Sequence, residues 1–152
     1  MGEAFFERHR DVAILLARVL MMILMLRFGI EKALSVHATV GMMAQYGLPF
    51  PSMAAAATLA AECGVAALLV AGSCTRPLAV VMAAYTLGTA LVAHRYWTMS
   101  GGAVMANMIN FYKNLSIVGG LLLLAVTGAG RFSVDGIAAT RARTSGRRFD
   151  GN

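Results

Sequence analysis

Charge is scarce in this chain: seven Asp and Glu and thirteen Lys and Arg among 152 residues, 13% of the whole. So few charged groups cannot cover the surface of a water-soluble domain of this length. Cysteine occurs twice and proline three times, and two cysteines exclude a disulfide scaffold. Cys63 and Cys74 stand eleven residues apart, about 16 Å along a helix, beyond disulfide reach, and they read as small apolar fillers. The sequence holds no CxxC pair, no iron–sulfur cysteine set, no haem axial pair and no dinucleotide-binding glycine fingerprint. No bound metal or haem is therefore expected.

What fills the chain instead is hydrophobic: 59% of the residues, with a mean hydropathy of +0.70. A hydrocarbon core of about 30 Å takes roughly 20 helical residues to cross. Four stretches meet that length or approach it: Val12 to Ile30, Met53 to Ala71, Pro77 to Ala93, and Ile109 to Val126. The first is longer than a signal-peptide core, carries Arg18 inside it and lacks a small-x-small cleavage site, so it reads as a span. The expected fold is an all-α membrane protein, an antiparallel bundle of four transmembrane helices, in a single domain over residues 1–138. Small residues at four-residue spacing in the second span, Ala57 with Ala61 and Ala60 with Gly64, together with Gly119 and Gly120 in the fourth, allow close helix approach.

The connectors complete the layout. "SVHATVGMMAQYGLPFPS" is too apolar for a solvent loop, and its centre predicts a short interfacial helix stopped by Gly47 and Pro49. Ser52 is the expected N-cap of the second span. "GSCTRP" forces a hairpin between the second and third spans, with Pro77 in the first turn of the new helix. Residues 139–152, ending "RARTSGRRFDGN", form a basic tail expected to be disordered and to touch anionic lipid rather than nucleic acid. With both termini cytoplasmic, that side holds Arg8, Arg10, Arg76, Arg131, Arg141, Arg143, Arg147 and Arg148, and the other Lys32, Arg95 and Lys113. This asymmetry predicts both termini inside.

Ionisable residues at membrane depth carry the chemistry, because an unpaired charge there costs several kcal/mol. Glu62 lies at the midpoint of the second span, and Arg18 about 4 to 5 Å from the centre of the first by helix rise. A buried Arg18–Glu62 ion pair is the expectation, fixing the register of two helices or shaping a polar pocket. A second group gathers at the opposite end from the termini. Arg27, Glu31 and Lys32 close the first span, His94 closes the third, and Asn110, Lys113 and Asn114 open the fourth. For Arg27 and Lys32 the plainer reading is snorkelling to headgroups, and for His94 an interfacial hydrogen bond.

The chain resembles the DoxX family of membrane proteins from the first span to "GRFSVD". The similarity lies in "GIEKAL" after an internal Arg, the "GLPFP" turn, "AAECGVAALLVAG" with its Glu, the "CTRP" turn, "HRYW", "NFYKNL" and "GRFSVD". Arg27 departs from the pattern, where an apolar or aromatic residue is commoner. The resemblance implies a four-helix protein of the bacterial inner membrane with no extramembrane catalytic domain. Some relatives are implicated in quinone-linked oxidation of sulfur compounds or thiols, and distant ones act as chaperones.

Two functions follow as expectations. In the first, the protein is a redox accessory subunit whose outer cluster of Arg27, Glu31, Lys32, His94, Asn110, Lys113 and Asn114 hydrogen-bonds a quinone. Glu31 or His94 would handle protons, Arg27, Lys32 and Lys113 would stabilise negative charge, and a membrane or periplasmic partner would carry electrons. In the second, it is a non-catalytic assembly factor whose small-residue faces recognise another membrane protein or a second copy of itself. A carrier is weaker, because the four spans show no internal repeat and only one central carboxylate.

Overall fold

The computed structural model describes residues 2–149, with no strand among them. Six longer helices follow one another, α1 (Gly2–Leu34), α2 (Val36–Gln45), α3 (Pro51–Ala71), α4 (Thr75–Ala93), α5 (Ala103–Thr127) and α6 (Val134–Phe149), with a 3-10 turn at Tyr96–Thr98 after α4. Four segments are long and apolar enough to cross a membrane: Glu7–Leu34, Pro51–Ala71, Thr75–Thr98 and Ala103–Thr127. These contain the four stretches read from hydropathy, and the fold is the expected all-α transmembrane bundle. α2 is the short connector helix. It ends where Gly47 adopts a φ of +76° and donates its N–H to the Ala44 carbonyl at 2.9 Å. α3 begins two residues before its expected start, with Pro51 in its first turn and Phe50 as N-cap, so Ser52 is not the cap. Proline suits that position because the first helical N–H has no partner to lose.

Within α3, Ala60–Val65 winds as a π-helix, a widened turn that is uncommon in soluble and membrane helices alike and recurs at functional sites. Glu62 sits in it, buried to 5% exposure. α1 packs along α3 and α4 along α5, and Met22, Met25, Leu69, Met82 and Leu121 fill the seam between the two pairs. Leu16, Leu20, Ile23, Val80, Leu122 and Leu123 point outward. Such an apolar exterior suits a molecule whose solvent is hydrocarbon.

One end of the bundle is tied by a clasp. Arg18 is buried to 1% exposure; its Nη1 donates to the Ala129 carbonyl at 2.7 Å and its Nη2 to the Phe132 carbonyl at 2.9 Å. Asp135, one residue into α6, accepts from the backbone N–H groups of Cys74 and Thr75, both at 2.9 Å, and donates its own N–H to the Gly72 carbonyl. Asp11 accepts the N–H of Arg131 at 3.0 Å. The "GRFSVD" segment thereby joins α1, the α3–α4 turn and α6. Burial pushes the Asp135 pKa up, but hydrogen bonds from Thr75 and Cys74 and the Arg18 charge outweigh it, and the net direction is down.

Two expectations change here. Arg18 does not pair with Glu62: it bonds carbonyls of the α5–α6 loop, while Glu62 bonds elsewhere. The reason is register. Gly29, not Arg18, lies against Glu62, and eleven residues separate the two positions on α1, about 16 Å of rise. α1 has 33 residues, so the midpoint of its apolar stretch is not level with the midpoint of α3. The basic tail, expected to be irregular from residue 139, continues as helix to Phe149. Ser133 starts that helix by accepting the Gly136 N–H at 3.0 Å, and Ala138, Ala139, Arg141 and Ala142 are good helix formers. Residues 150–152 lie outside the described residues.

Candidate functional site

At the end of the bundle away from the clasp, the two helix pairs part around a cavity of about 500 Å³. Its walls are apolar: Met25, Phe28, Met42, Met43, Ala54 and Val92 line it from α1, α2, α3 and α4. Into this space project Lys32, Glu62, Tyr85, His94, Asn110, Lys113 and Asn114. A pocket of this size, mainly apolar with a few convergent polar groups, is the usual form of a small-molecule site.

The deepest polar group is a triad. Lys32 Nζ donates to both oxygens of Glu62 at 2.6 Å, and Tyr85 donates its hydroxyl to Glu62 Oε1 at 2.7 Å. Lys32 is near the end of α1, and its long side chain turns inward to reach a carboxylate at mid-span instead of snorkelling to headgroups. The Glu62 carboxylate is thus paired and hydrogen-bonded from α1 and α4, which offsets the cost of burying it.

A second polar station lies toward the rim. Lys113 Nζ donates to Asn110 Oδ1 at 2.8 Å, and Asn114, 6% exposed, donates to Thr89 Oγ1 at 3.4 Å. That bond sets Thr89 level with Asn114, four residues from Tyr85 along α4, about 6 Å. Among the described residues Lys113 has no carboxylate partner. His94 Nδ1 meets Asn107 Oδ1 at 3.1 Å, and Asn107 Nδ2 donates to the Ala103 carbonyl, fixing the amide. Nδ1 therefore carries a hydrogen and donates it to the amide oxygen.

Counted by group, the cavity is rich in donors. Each ammonium has three hydrogens; Lys32 commits two to Glu62 and Lys113 one to Asn110. What remains favours a ligand with acceptor oxygens or negative charge.

Of the sequence-predicted cluster, Lys32, His94, Asn110, Lys113 and Asn114 come together. Arg27 and Glu31 do not. They form an i,i+4 ion pair at 2.8 Å with side chains 67% and 61% exposed, because a step of five residues from Arg27 to Lys32 turns about 140° around the helix. Glu31 instead lines an adjoining cleft of about 400 Å³, which shares Phe28, Lys32 and Met42 with the main cavity. Sequence reasoning missed Tyr85. Its signal was a tyrosine in the interior of an apolar span, where tyrosines normally occupy the rims. It also placed Glu62 with the wrong partner. Cys63 and Cys74 are free thiols, the first partly buried and the second exposed.

The DoxX family model matches residues 13–95. Inner membrane protein YphA of Escherichia coli (strain K12) is 47% identical over 130 residues, 86% of this chain and 93% of that protein. Inner membrane protein YqjF of the same organism is 37% identical over 129 residues, covering 85% and 94%. No solved structure matches the chain. With more than half of its length matched by the family model and such relatives along most of the rest, this multi-pass membrane protein belongs to the DoxX family.

Proposed function

We propose that this protein is an accessory subunit of a quinone-linked membrane redox system and that its cavity receives the quinone headgroup. The observation that carries the reading is Lys113, an ammonium with no carboxylate partner among the described residues, projecting into an apolar-walled cavity beside Asn110 and Asn114. A flat ring with two carbonyl oxygens suits that space: apolar walls for the ring, and donors at two stations about 6 Å apart along α4. When bound, a quinone would supply reversible two-electron, two-proton chemistry. Lys32, Lys113 and Asn114 would orient its oxygens, and Glu62 with Tyr85 would hold or accept a proton. A membrane or periplasmic partner supplies the electron path in this reading. The basic residues crowd the clasp end and its tail, so the cavity end faces the periplasm and both termini the cytoplasm; reporter fusions after Asn152 test this.

The test of the site is quinone content. Protein extracted in mild detergent from quinone-rich membranes should carry quinone measurable by mass spectrometry. Lys113→Met should lower it several-fold with the fold intact, whereas Arg27→Met, which removes an equal charge outside the cavity, should not. Wild-type protein without quinone but with a stoichiometric membrane-protein client overturns the proposal in favour of an assembly factor.

A further inference from the structure

The titratable groups lining the cavity come from every wall: Lys32 of α1, Tyr46 at the C-cap of α2, Glu62 of α3, Tyr85 of α4, His94 at the C-cap of α4, and Lys113 of α5. Among the ammonium and carboxylate groups lining it, two ammoniums, Lys32 and Lys113, face one carboxylate, Glu62. A neutral ligand leaves that single excess positive charge in an apolar enclosure, where it is costly. A ligand that loses one proton to water brings the cavity to neutrality. The structure also provides a place for the proton. Lys32, bonded to both Glu62 oxygens, lines the main cavity and the adjoining cleft alike, and exposed Glu31 stands in that cleft.

From this juxtaposition we infer that the cavity is a deprotonation site for a phenolic headgroup. The ligand O–H bond breaks and its proton passes to the Glu62 carboxylate. The oxygen left behind is a phenolate, held by the Lys113 ammonium. Lys32 then releases its third ammonium proton to water in the cleft lined by Glu31 and takes up the proton from Glu62, regenerating the ion pair. No electron moves in these steps. The inference deepens the proposed function by naming the reduced, hydroquinone form as the species that the site acts upon, and it rests on that reading only for the identity of the phenol.

An alkyl-substituted nitrophenol, whose phenolate absorbs in the visible, tests the inference in the intact detergent-solubilised protein. The probe's pKa is read by absorbance in micelles with and without protein. Wild type should lower it by about one unit or more, a tenfold shift toward phenolate. Lys113→Met leaves Lys32 and Glu62 balanced and should return it to the protein-free value or above. Glu62→Gln leaves two ammoniums, so it should lower the pKa further while slowing proton release in stopped-flow mixing. A wild-type protein that raises the probe's pKa, as simple apolar burial does, or leaves its titration unchanged, overturns the inference without needing any variant. So do Lys113→Met and Glu62→Gln shifts in the same direction. The two readings separate cleanly. Co-purified quinone with a raised probe pKa sinks this inference and spares the quinone site, whereas a lowered probe pKa in protein that binds no quinone does the reverse.

Discussion

Gly72 and Arg18 touch where the α3–α4 turn meets α1: a Cβ placed on Gly72 would stand 2.5 Å from Arg18 Nη1 and 2.5 Å from Ser133 Cβ. Gly72 also has a φ of +71°, a region that costs other residues roughly 1–2 kcal/mol. Arg18 cannot retreat, since both its Nη atoms are bound to carbonyls inside the clasp. Gly72→Ala should therefore destabilise by about 2 kcal/mol or more, read as a lower melting temperature in detergent. An unchanged melting temperature would show that the clasp is not closed in the membrane protein as isolated.

The carboxylate of Asp135 offers a pH-dependent measure of the same clasp. Its folded-state pKa is depressed, so its contribution to stability is full above the unfolded value, near 3.9, and is lost as pH falls through the lower folded value. Melting temperatures of wild type should fall on acidification below about pH 4. Asp135→Asn should start lower at pH 7 and show a shallower acid limb. Parallel acid limbs in the two proteins would remove Asp135 from the clasp.

The Lys32–Glu62 bond predicts a strong coupling. Lys32→Met strands a carboxylate that is 5% exposed, and breaking a buried pair from one side costs about 3–5 kcal/mol in soluble proteins. The double change with Glu62→Met should recover most of that loss. Arg18 and Glu62, which share no partner, should instead combine additively within about 0.5 kcal/mol. Additive losses for Lys32 with Glu62 would contradict the triad.

The spans were legible because a bilayer leaves the chain little choice: a helix of the right length or nothing. Alternation of direction then brought Lys32, His94, Asn110, Lys113 and Asn114 to one end without further information. The partner of Glu62 was not legible, because hydropathy gives the extent of a helix and not its register. α1 overhangs its apolar stretch at both ends, and the slip that results moves Arg18 to the clasp. The π turn at Ala60–Val65 also leaves no mark in composition. Arg27 and Glu31 stay outside the cavity for a different reason: they pair with each other on a face of α1 that Lys32 does not share.

Gly29 supplies a last test, because it sets the approach of α1 to the π turn that carries Glu62. A Cβ there would stand 2.8 Å from Glu62 Cβ, 2.9 Å from Cys63 Sγ and 3.0 Å from the Glu62 carbonyl carbon. Backbone and Cβ atoms cannot swing aside as the end of a long side chain can, so Gly29→Ala must push the helices apart. Overpacking of this kind costs typically about 1–3 kcal/mol, and the displacement acts directly on the Lys32–Glu62 bond. Gly64, also on α3, has no such neighbour within 4 Å. Gly64→Ala should then be neutral or stabilising by up to about 1 kcal/mol, since alanine is the better helix former. Melting series of the two variants, with quinone content measured alongside, should show Gly29→Ala lowering both quantities and Gly64→Ala neither. Equal behaviour of the two glycines would mean that α1 and α3 do not meet at this register, and the Lys32–Glu62–Tyr85 triad would fall with it.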